Sequence, residues 1–296
     1  MQTLYCSNKG SENDCSIITI HPTHVPELPE VERATQLLRH AIAGQMIVSV
    51  RTLHPSAARA LSASTCMSLT GARVERVERR AKYQLLHLND GRIIEVHFKM
   101  TGDWAIGPAT LPPPALERVR FEFANGTRVS LVDGRAFAVV RVHAAGVSFL
   151  PTLGPEPLDP TWTGDQLRAA LANKRGPIKP ALLDQRVVAG LGNIYAAEAL
   201  WEAAIHPLAR ASRLSALRTG RLAAAARAVL ERAPAARYYG QRSIDDGHAY
   251  AIGDGGDEGW NVYDREGAPC VRCGAPVRRI AQAGRSTYYC GRCQRV

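Results

Sequence analysis

The stretch "CVRCGAPVRRIAQAGRSTYYCGRC", residues 270–293, places two Cys-x-x-Cys pairs sixteen residues apart near the end of the chain. This spacing is typical of a closed tetrahedral zinc site, in which four thiolates leave no position open for catalysis. We therefore predict one structural Zn²⁺ ion, bound by Cys270, Cys273, Cys290 and Cys293. The segment between the pairs alternates like a β-hairpin and carries Arg285 at its tip. An arginine held at this tip can enter a DNA groove. The alternative is that Arg285 is an ordinary charged residue of a solvent-exposed turn.

A turn rich in glycine lies upstream of these cysteines. The sequence "IKPALLDQRVVAGLGNIYAAEALW", residues 178–201, has helical spacing on both sides of "VVAGLG". We predict that Asn193 caps the second helix and that the glycines let backbone N–H groups approach a phosphate. The alternative is an ordinary helical hairpin in which the glycines serve only as a cap.

The residues from about 46 to 148 alternate between apolar and polar, and "NDG" and "ANGT" are strong hairpin turns. Several antiparallel strands with one buried face form a sandwich or a barrel. After "LPTLGPEPLDP" the spacing becomes helical, and a Gly/Asp-rich loop follows from about 240 to 260. We predict a disordered or artefactual leader (1–25), a β-sandwich domain (26–155), a helical domain (156–260) and a zinc finger (261–296).

The composition favours a globular protein with a polyanionic partner. The net charge of +10 suits nucleic acid, because basic side chains that neutralise phosphates release counterions; a basic surface that only aids solubility is the alternative. No apolar run reaches the ~20 residues of a bilayer span, and the N-terminus lacks the basic cluster of a secretory signal. We therefore expect a cytoplasmic protein, in which Cys6, Cys15 and Cys66 are free thiols.

An acidic, proline-rich segment, "PELPEVE", begins at Pro26. Pro29 suits the first turn of a helix, and Glu30 and Glu32 complement the positive end of the helix dipole. The apolar residues that follow recur at helical spacing as far as Gly44, which we expect to end the helix.

From Pro26 to its end the chain resembles the formamidopyrimidine-DNA glycosylase family of bifunctional base-excision repair enzymes. The motifs that carry the resemblance follow one another in family order: "PELPEVE", "RRAKYQLLHL", "HFKMTG", "LGPEPLD", "IKPALLD", "GLGNIYAAEALW", "IHP" and "STYYCGRCQ". The resemblance implies an α+β fold, with an N-terminal antiparallel β-sandwich flanked by helices and a C-terminal helix-two-turn-helix domain that ends in a four-cysteine zinc hairpin. It also implies damaged double-stranded DNA as the partner, no membrane, and a monomer in the nucleoid.

The resemblance assigns three catalytic residues. In the family a proline at the mature N-terminus attacks the sugar C1′ to form an iminium that drives β- and δ-elimination, and Pro26 matches it. Glu27 matches the general acid/base. Lys82 matches a lysine near the phosphates of the lesion, and its alternative role is that of a surface lysine on a strand.

The resemblance also implies a set of DNA-binding residues. Glu30 matches a second functional carboxylate. Lys179, Asn193 and Arg285 match phosphate-binding positions, and phosphate contacts fix the register of a protein on a duplex. Met100, Arg135 and Phe137 match the residues that fill the gap left by an everted nucleotide, a process that costs a few kcal/mol of stacking. Without the resemblance, Met100 and Phe137 would be interpreted as core residues.

Three features depart from the family. Pro26 is internal, and an amide nitrogen has no available lone pair. Val25 precedes this proline, and the codon GTG encodes valine internally but also starts translation in bacteria. We therefore expect synthesis to begin at position 25 with a methionine that is later removed. The alternative is a leader that is processed or that leaves the protein inactive. Lys99 replaces a usual glycine, and Gly134, Ala136 and Ala138 replace proline, arginine and glycine. The 240–260 loop differs from the segment that covers the flipped purine.

We therefore expect a glycosylase and AP lyase for oxidised purines, namely 8-oxoguanine and formamidopyrimidines. One alternative is an endonuclease VIII-like enzyme for oxidised pyrimidines, against which "PELPEVE" argues. A second is a catalytically silent DNA-lesion binder. A third, a zinc-ribbon adaptor, leaves "PELPEVE" and Lys82 unexplained.

Overall fold

The computed structural model describes residues 25–233, 248–252 and 259–295 in full, together with the backbone of 3–4, 17–18 and 242–243. The predicted leader, 1–25, therefore falls almost entirely outside the described residues, as do Cys6 and Cys15. In the described ranges, none of the helices has the length and the apolar content needed to cross a bilayer.

The helices are α1 (Leu28–Ile42), α2 (Pro55–Ala58), α3 (Ala63–Ser68), α4 (Gly164–Leu171), α5 (Ile178–Leu183), α6 (Asn193–Glu202) and α7 (Ala216–Arg232). The strands are β1 (Thr3–Leu4), β2 (Ile17–Ile18), β3 (Ile47–Thr52), β4 (Val74–Arg80), β5 (Tyr83–Leu88), β6 (Ile93–His97), β7 (Gly102–Pro108), β8 (Glu117–Phe123), β9 (Thr127–Asp133), β10 (Val139–His143), β11 (Arg242–Ser243), β12 (Ala249–Tyr250), β13 (Val277–Gln282) and β14 (Arg285–Cys290).

Two antiparallel sheets form the first half of the protein, which confirms the predicted sandwich. One has the strand order β10-β6-β5-β4 and the other β11-β12-β7-β9-β8-β3. The apolar residues of their facing sides share one core, in which Phe98, Trp104 and Phe121 make edge-to-face ring contacts. The predicted hairpin turns contain Gly91 and Gly126, both with a φ near +80° that favours glycine.

Helix α1 joins this sandwich to the helical half of the protein. Val31, Leu38 and Ile42 pack into the sandwich core, whereas Leu28, at the start of the helix, packs into a second core formed by α4 to α7. The residues around Pro26 therefore lie where the two cores meet.

The 240–260 segment is not simply the loop that its Gly/Asp-rich sequence predicts. Residues Ala249–Tyr250 pair antiparallel with Ile106 and Ala105 of β7. Ala251 is buried in the sandwich core, and the N–H of Ile252 donates to the Asp103 carboxylate. The prediction of a loop is wrong for these residues because β7 would otherwise leave its backbone groups unpaired at a sheet edge, and a short apolar run fills that edge.

Candidate active site and DNA interface

A cavity of about 690 Å³ lies between the two halves of the protein. It brings together segments that are far apart in the sequence, and its lining includes six of the predicted site residues: Pro26, Glu27, Lys82, Met100, Asn193 and Arg285. Two of them, Lys82 and Arg285, are basic, and the charge of Arg285 contributes to lowering the pKa of Lys82. A negatively charged ligand therefore suits this opening.

Glu27 lies at the start of α6, although it belongs to the other end of the chain. Its carboxylate accepts hydrogen bonds from the backbone N–H of Gly192 at 2.7 Å, Ile194 at 2.9 Å and Tyr195 at 3.4 Å. These are the N–H groups that a helix leaves without an internal partner, and they attract an anion. Burial nevertheless raises the pKa of Glu27, against the opposing effects of the Lys82 charge and of these N–H groups.

Two predictions about this turn are corrected by that contact. Gly192, not Asn193, is the N-cap of α6, and Asn193 makes no capping hydrogen bond. The N–H groups predicted to approach a DNA phosphate are taken by the Glu27 carboxylate instead. The anion at this turn is therefore a carboxylate of the protein itself.

The glycines of the turn are required because the first residues of α1 approach so closely. A Cβ added at Gly192 would lie 2.2 Å from Cδ of Glu27, and one at Gly190 would lie 2.5 Å from a methyl carbon of Leu28. Gly190 also has a φ of +84°. The side chain of Gln185 accepts from the Gly190 N–H and donates to the Leu191 carbonyl, which holds the turn in this shape.

Glu30 is buried next to Glu27 and is not among the residues that line the cavity. One carboxylate oxygen accepts from the Glu27 N–H at 2.9 Å and the other accepts from the Tyr195 hydroxyl at 2.5 Å. Burial, aided by the nearby negative charge of Glu27, raises the pKa of Glu30 to about 7, while the Tyr195 hydrogen bond opposes the shift. This placement gives no support to the direct DNA contact predicted from the sequence, and it makes Glu30 a residue that holds Glu27.

Lys82 follows a tight turn in which Ala81 has a φ of +52°. The turn is held from the other half of the protein by Glu156, whose carboxylate accepts from the Ala81 N–H, Arg79 and Arg80. Desolvation lowers the pKa of Lys82, and the charges of Glu27 and Glu30 oppose this shift. The lysine therefore faces the cavity as an amine that loses its proton more readily than usual.

Lys179 does not lie at the surface as a phosphate-binding lysine would. It is 1% exposed, and its ammonium donates to Asn193 Oδ1 at 2.7 Å, to the Ser286 carbonyl at 2.9 Å and to Thr287 Oγ1 at 2.9 Å. An ammonium has three N–H groups, so all of them are engaged. Burial lowers the pKa of Lys179 to about 8.

The Lys179 contacts have a structural consequence for the DNA interface. They join α5 and α6 to β14 of the zinc hairpin, and the Asn193 amide adds a bond to the Ser286 carbonyl at 3.1 Å. Arg285, next to Ser286, is exposed at the hairpin tip, where it was predicted. The direct phosphate contact predicted for Lys179 does not fit this geometry, whereas Arg285 has the exposure that such a contact requires.

Met100, Arg135 and Phe137 are exposed, so the interpretation of Met100 and Phe137 as core residues is wrong. Met100 is 37% exposed and Phe137 51% exposed. The Arg135 guanidinium lies 4.9 Å from the centre of the Phe137 ring. Lys99, which precedes Met100, has a φ of +58°, a conformation that explains why glycine suits this position.

His97 also lines the cavity, and the sequence analysis missed it. Its Nδ1 accepts from the Lys99 N–H at 2.9 Å, and its ring lies edge-on to Tyr83 with centroids 4.8 Å apart. Burial and the charges of Lys99 and Lys82 lower the pKa of His97 to about 3, so the ring is neutral near pH 7 and holds its proton on Nε2. The available signal was that this histidine ends a strand and is the first residue of the "HFKMTG" motif.

The four cysteines form the predicted zinc site. Their Sγ atoms all lie within 4.8 Å of one another, and the Cys273 and Cys290 sulfurs are 3.5 Å apart. Four thiolates at ~2.3 Å from one Zn²⁺ ion require sulfurs about this close together. The Trp201 indole N–H and the Cys293 backbone N–H point to sulfurs, as they would to thiolates. The residues fit one structural zinc ion.

Three family models match the chain in order. The formamidopyrimidine-DNA glycosylase N-terminal domain matches residues 25–140, the formamidopyrimidine-DNA glycosylase H2TH domain matches 153–243, and the zinc finger found in FPG and IleRS matches 267–296. A formamidopyrimidine-DNA glycosylase from Rhizorhabdus wittichii is 39% identical over 279 residues, which cover 92% of this chain and 100% of the relative.

Two solved structures are similar to this chain over 92% of its length and 100% of their own. One is Lactococcus lactis Fpg in complex with DNA that contains an abasic site, with 29% identity and a TM-score of 0.80. The other is a mutant of that enzyme in complex with DNA that contains Fapy-dG, with 30% identity and a TM-score of 0.81.

Proposed function

The chain belongs to the formamidopyrimidine-DNA glycosylase family of base-excision repair glycosylases and AP lyases, and we propose that it removes oxidised purines from duplex DNA with Pro26, Glu27 and Lys82. One observation carries the proposal. These three residues, from two segments more than fifty positions apart, line the same cavity beside the exposed Arg285.

In the proposed reaction, the Pro26 amine attacks the sugar C1′ as the glycosidic bond breaks. The nitrogen then forms an iminium, which acidifies the neighbouring sugar hydrogen and permits elimination of the 3′ and then the 5′ phosphate. Glu27 gives and takes the protons, a role that suits a carboxyl whose pKa burial has raised. Lys82 supports the developing charge on the phosphates.

The nucleophile requires a free amine. In the 296-residue chain the Pro26 nitrogen forms a peptide bond with Val25, so it has no lone pair for attack. A terminal amine has a pKa of ~8, which leaves a useful neutral fraction at cellular pH. We therefore propose that the active form begins at Pro26, after removal of an initiating methionine from position 25.

DNA binding is proposed to combine phosphate contacts with a wedge. Arg285 binds the backbone from the zinc hairpin, while Lys179 and Asn193 fix that hairpin to the helical half. Met100, Arg135 and Phe137 enter the stack where the damaged nucleotide leaves it, since their exposed apolar and cationic groups replace lost stacking.

The lesion class is proposed from the relatives. The similar structures contain DNA with Fapy-dG and with an abasic site, which are a substrate and a reaction intermediate of the proposed kind. We also propose that the protein acts as a monomer in the bacterial cytoplasm, as suits an enzyme of the chromosome.

Borohydride trapping tests the proposal. Two forms are compared, one with Pro26 as the free N-terminus and one with all 296 residues, on duplexes with 8-oxoguanine opposite cytosine, an oxidised pyrimidine or an abasic site. The expected result is an adduct on Pro26, located by peptide mass spectrometry, in the short form on the 8-oxoguanine and abasic duplexes.

Other outcomes separate the alternatives. Trapping on the abasic duplex but not on the 8-oxoguanine duplex supports the lyase chemistry and overturns the assignment of oxidised purines as substrates. Preferential trapping on the pyrimidine duplex favours the endonuclease VIII-like alternative. A lack of trapping on every duplex, with DNA binding retained, favours the silent binder, and an adduct on another residue overturns the role of Pro26.

A further inference from the structure

Asp133, the last residue of β9, connects the two segments that carry the exposed residues Met100, Arg135 and Phe137. It is 1% exposed, yet it belongs to neither segment. Its Oδ1 accepts from the Thr101 hydroxyl and, at 3.0 Å, from the Arg135 N–H. Its Oδ2 accepts from the N–H groups of Phe137 and Ala138, both at 2.7 Å. One buried carboxylate thus uses both oxygens to bind two separate pieces of chain.

The two segments also pack directly against each other. Residues 98–101 form a turn that the Gly102 N–H closes onto the Phe98 carbonyl at 3.1 Å. Gly102 is paired with Asp133 in the ladder of β7 and β9. A Cβ added at Gly102 would lie 3.0 Å from the Ala138 Cβ, so the turn and the 134–138 loop are in close contact.

This arrangement matters because the side chains themselves are exposed. Met100 and Phe137 project partly into solvent, so the position of each depends on the backbone that carries it. Within the loop, Asp133 binds the N–H groups of Arg135 and Phe137, the two residues whose side chains stack on each other. In the 98–101 turn, the only side chain among the described residues that hydrogen-bonds to the Asp133 carboxylate is that of Thr101, the neighbour of Met100.

We propose that Asp133 is a positioning residue and that its bond to Thr101 makes Met100 and the Arg135–Phe137 loop act as a single wedge when a nucleotide is everted. The proposal rests on the proposed function, in which these side chains fill the stack. A wedge in one piece enters the duplex without first ordering two loops, which would otherwise cost conformational entropy at the moment of eversion.

The perturbation that tests the cross-link is Thr101→Val, which keeps the shape of the side chain and removes its hydroxyl. Thr101→Ser is the conservative variant that keeps the hydroxyl, and Thr70→Val is a matched control at an exposed threonine beyond α3. Asp133→Asn is a second variant, because an amide nitrogen cannot accept the two N–H groups that Oδ2 accepts. Thermal unfolding of each variant verifies that it folds.

The first readout is the fluorescence of 2-aminopurine placed beside the lesion, which reports unstacking on binding and requires no chemistry. The second compares single-turnover excision from an 8-oxoguanine duplex with borohydride trapping on a single-stranded abasic oligonucleotide, in which there is no stack to open. We expect Thr101→Val to lower the eversion equilibrium and the duplex excision rate about tenfold, corresponding to one hydrogen bond to a charged group. Single-strand trapping should change by much less, and Thr101→Ser should restore both duplex measurements.

A double-mutant cycle tests the coupling itself. If Met100 and the loop act as one wedge, Met100→Ala should cost less in the Thr101→Val background than in the parent protein. Additive costs, an unchanged eversion signal in Thr101→Val, or equal losses on duplex and single strand would each overturn the proposal. If the parent protein traps no DNA but its eversion signal depends on Thr101, the proposed chemistry fails while the wedge stands.

Discussion

Gly192→Ala should destabilise the protein and impair catalysis together, because it displaces Glu27 from the start of α6. The added Cβ would lie 2.2 Å from Cδ and 2.4 Å from Oε1 of Glu27. The backbone of Gly192, with φ −129°, is one that alanine adopts without strain. The three atoms nearest to the added Cβ all belong to the Glu27 side chain, so the carboxylate must move.

The magnitude follows from the contacts that are lost. Glu27 accepts two short hydrogen bonds, from Gly192 and Ile194, and a longer one from Tyr195. Hydrogen bonds to charged groups contribute about 1.5–3 kcal/mol each, so the two short bonds amount to roughly 3–6 kcal/mol. The displaced carboxylate regains water in the cavity, and alanine lowers the entropy of the unfolded chain by roughly 0.4–1 kcal/mol. We expect a net loss of about 2–4 kcal/mol in the free energy of unfolding.

Urea unfolding and single-turnover excision measure the two effects on the same protein. A misplaced general acid/base should lower the excision rate by about 10²–10⁴-fold. Gly220→Ala is the matched control, because a Cβ there meets no atom within 4 Å and the site lies inside α7, where alanine is favoured by about 0.5–1 kcal/mol. If Gly192→Ala unfolded like Gly220→Ala and excised at the parent rate, the assignment of Glu27 would be refuted.

Burial raises the pKa of Glu30 from 4.5 to about 7, so its protonated form stabilises the fold by about 3 kcal/mol. This stability is fully present below pH 4.5 and is lost as the pH rises through 7. Glu30→Gln mimics the protonated acid and should therefore flatten the fall in the free energy of unfolding that urea titrations measure from pH 5 to 8. Removal of zinc by a chelator should expose four reactive thiols and abolish duplex binding, since Arg285 loses its support, and restored binding after zinc addition is the check. Lys179→Met should cost about 2–4 kcal/mol of stability without changing the slope of log K against log salt, whereas loss of a phosphate contact would reduce that slope by about 1.

Local chemistry made much of this protein predictable from its sequence. Two Cys-x-x-Cys pairs place a zinc hairpin because cysteine spacing encodes the ligand geometry directly. The hairpin turns "NDG" and "ANGT" were recognisable because few residues adopt a positive φ without strain. The alternation of apolar and polar residues predicted the sandwich, because each strand buries one of its two faces.

The errors arose where distant segments meet. Asn193 looked like a cap because it stands at the start of a helix, but the N-cap is Gly192, whose N–H is bound by the Glu27 carboxylate, some 165 positions away. Lys179 was expected to bind a phosphate, yet its partners Ser286 and Thr287 lie on the zinc hairpin. The pairing of Tyr250 with β7 was missed because a sheet edge is a property of the fold and not of a short stretch of sequence.

These long-range contacts also indicate where the enzyme discriminates between normal and damaged DNA. Glu27 and the N–H groups of α6 come from different halves of the protein, and their bonds are complete before any DNA arrives. Lys179 likewise fixes the hairpin that carries Arg285 in the free protein. Because the groups that we propose for catalysis and phosphate binding are already held in place, DNA does not have to assemble the site. The step that still depends on the nucleotide is its departure from the base stack. Unstacking costs less free energy for a damaged base than for an intact one. We therefore expect selection to depend on eversion, and we expect substitutions in the proposed wedge around Met100 and Phe137 to alter lesion preference without altering the chemistry.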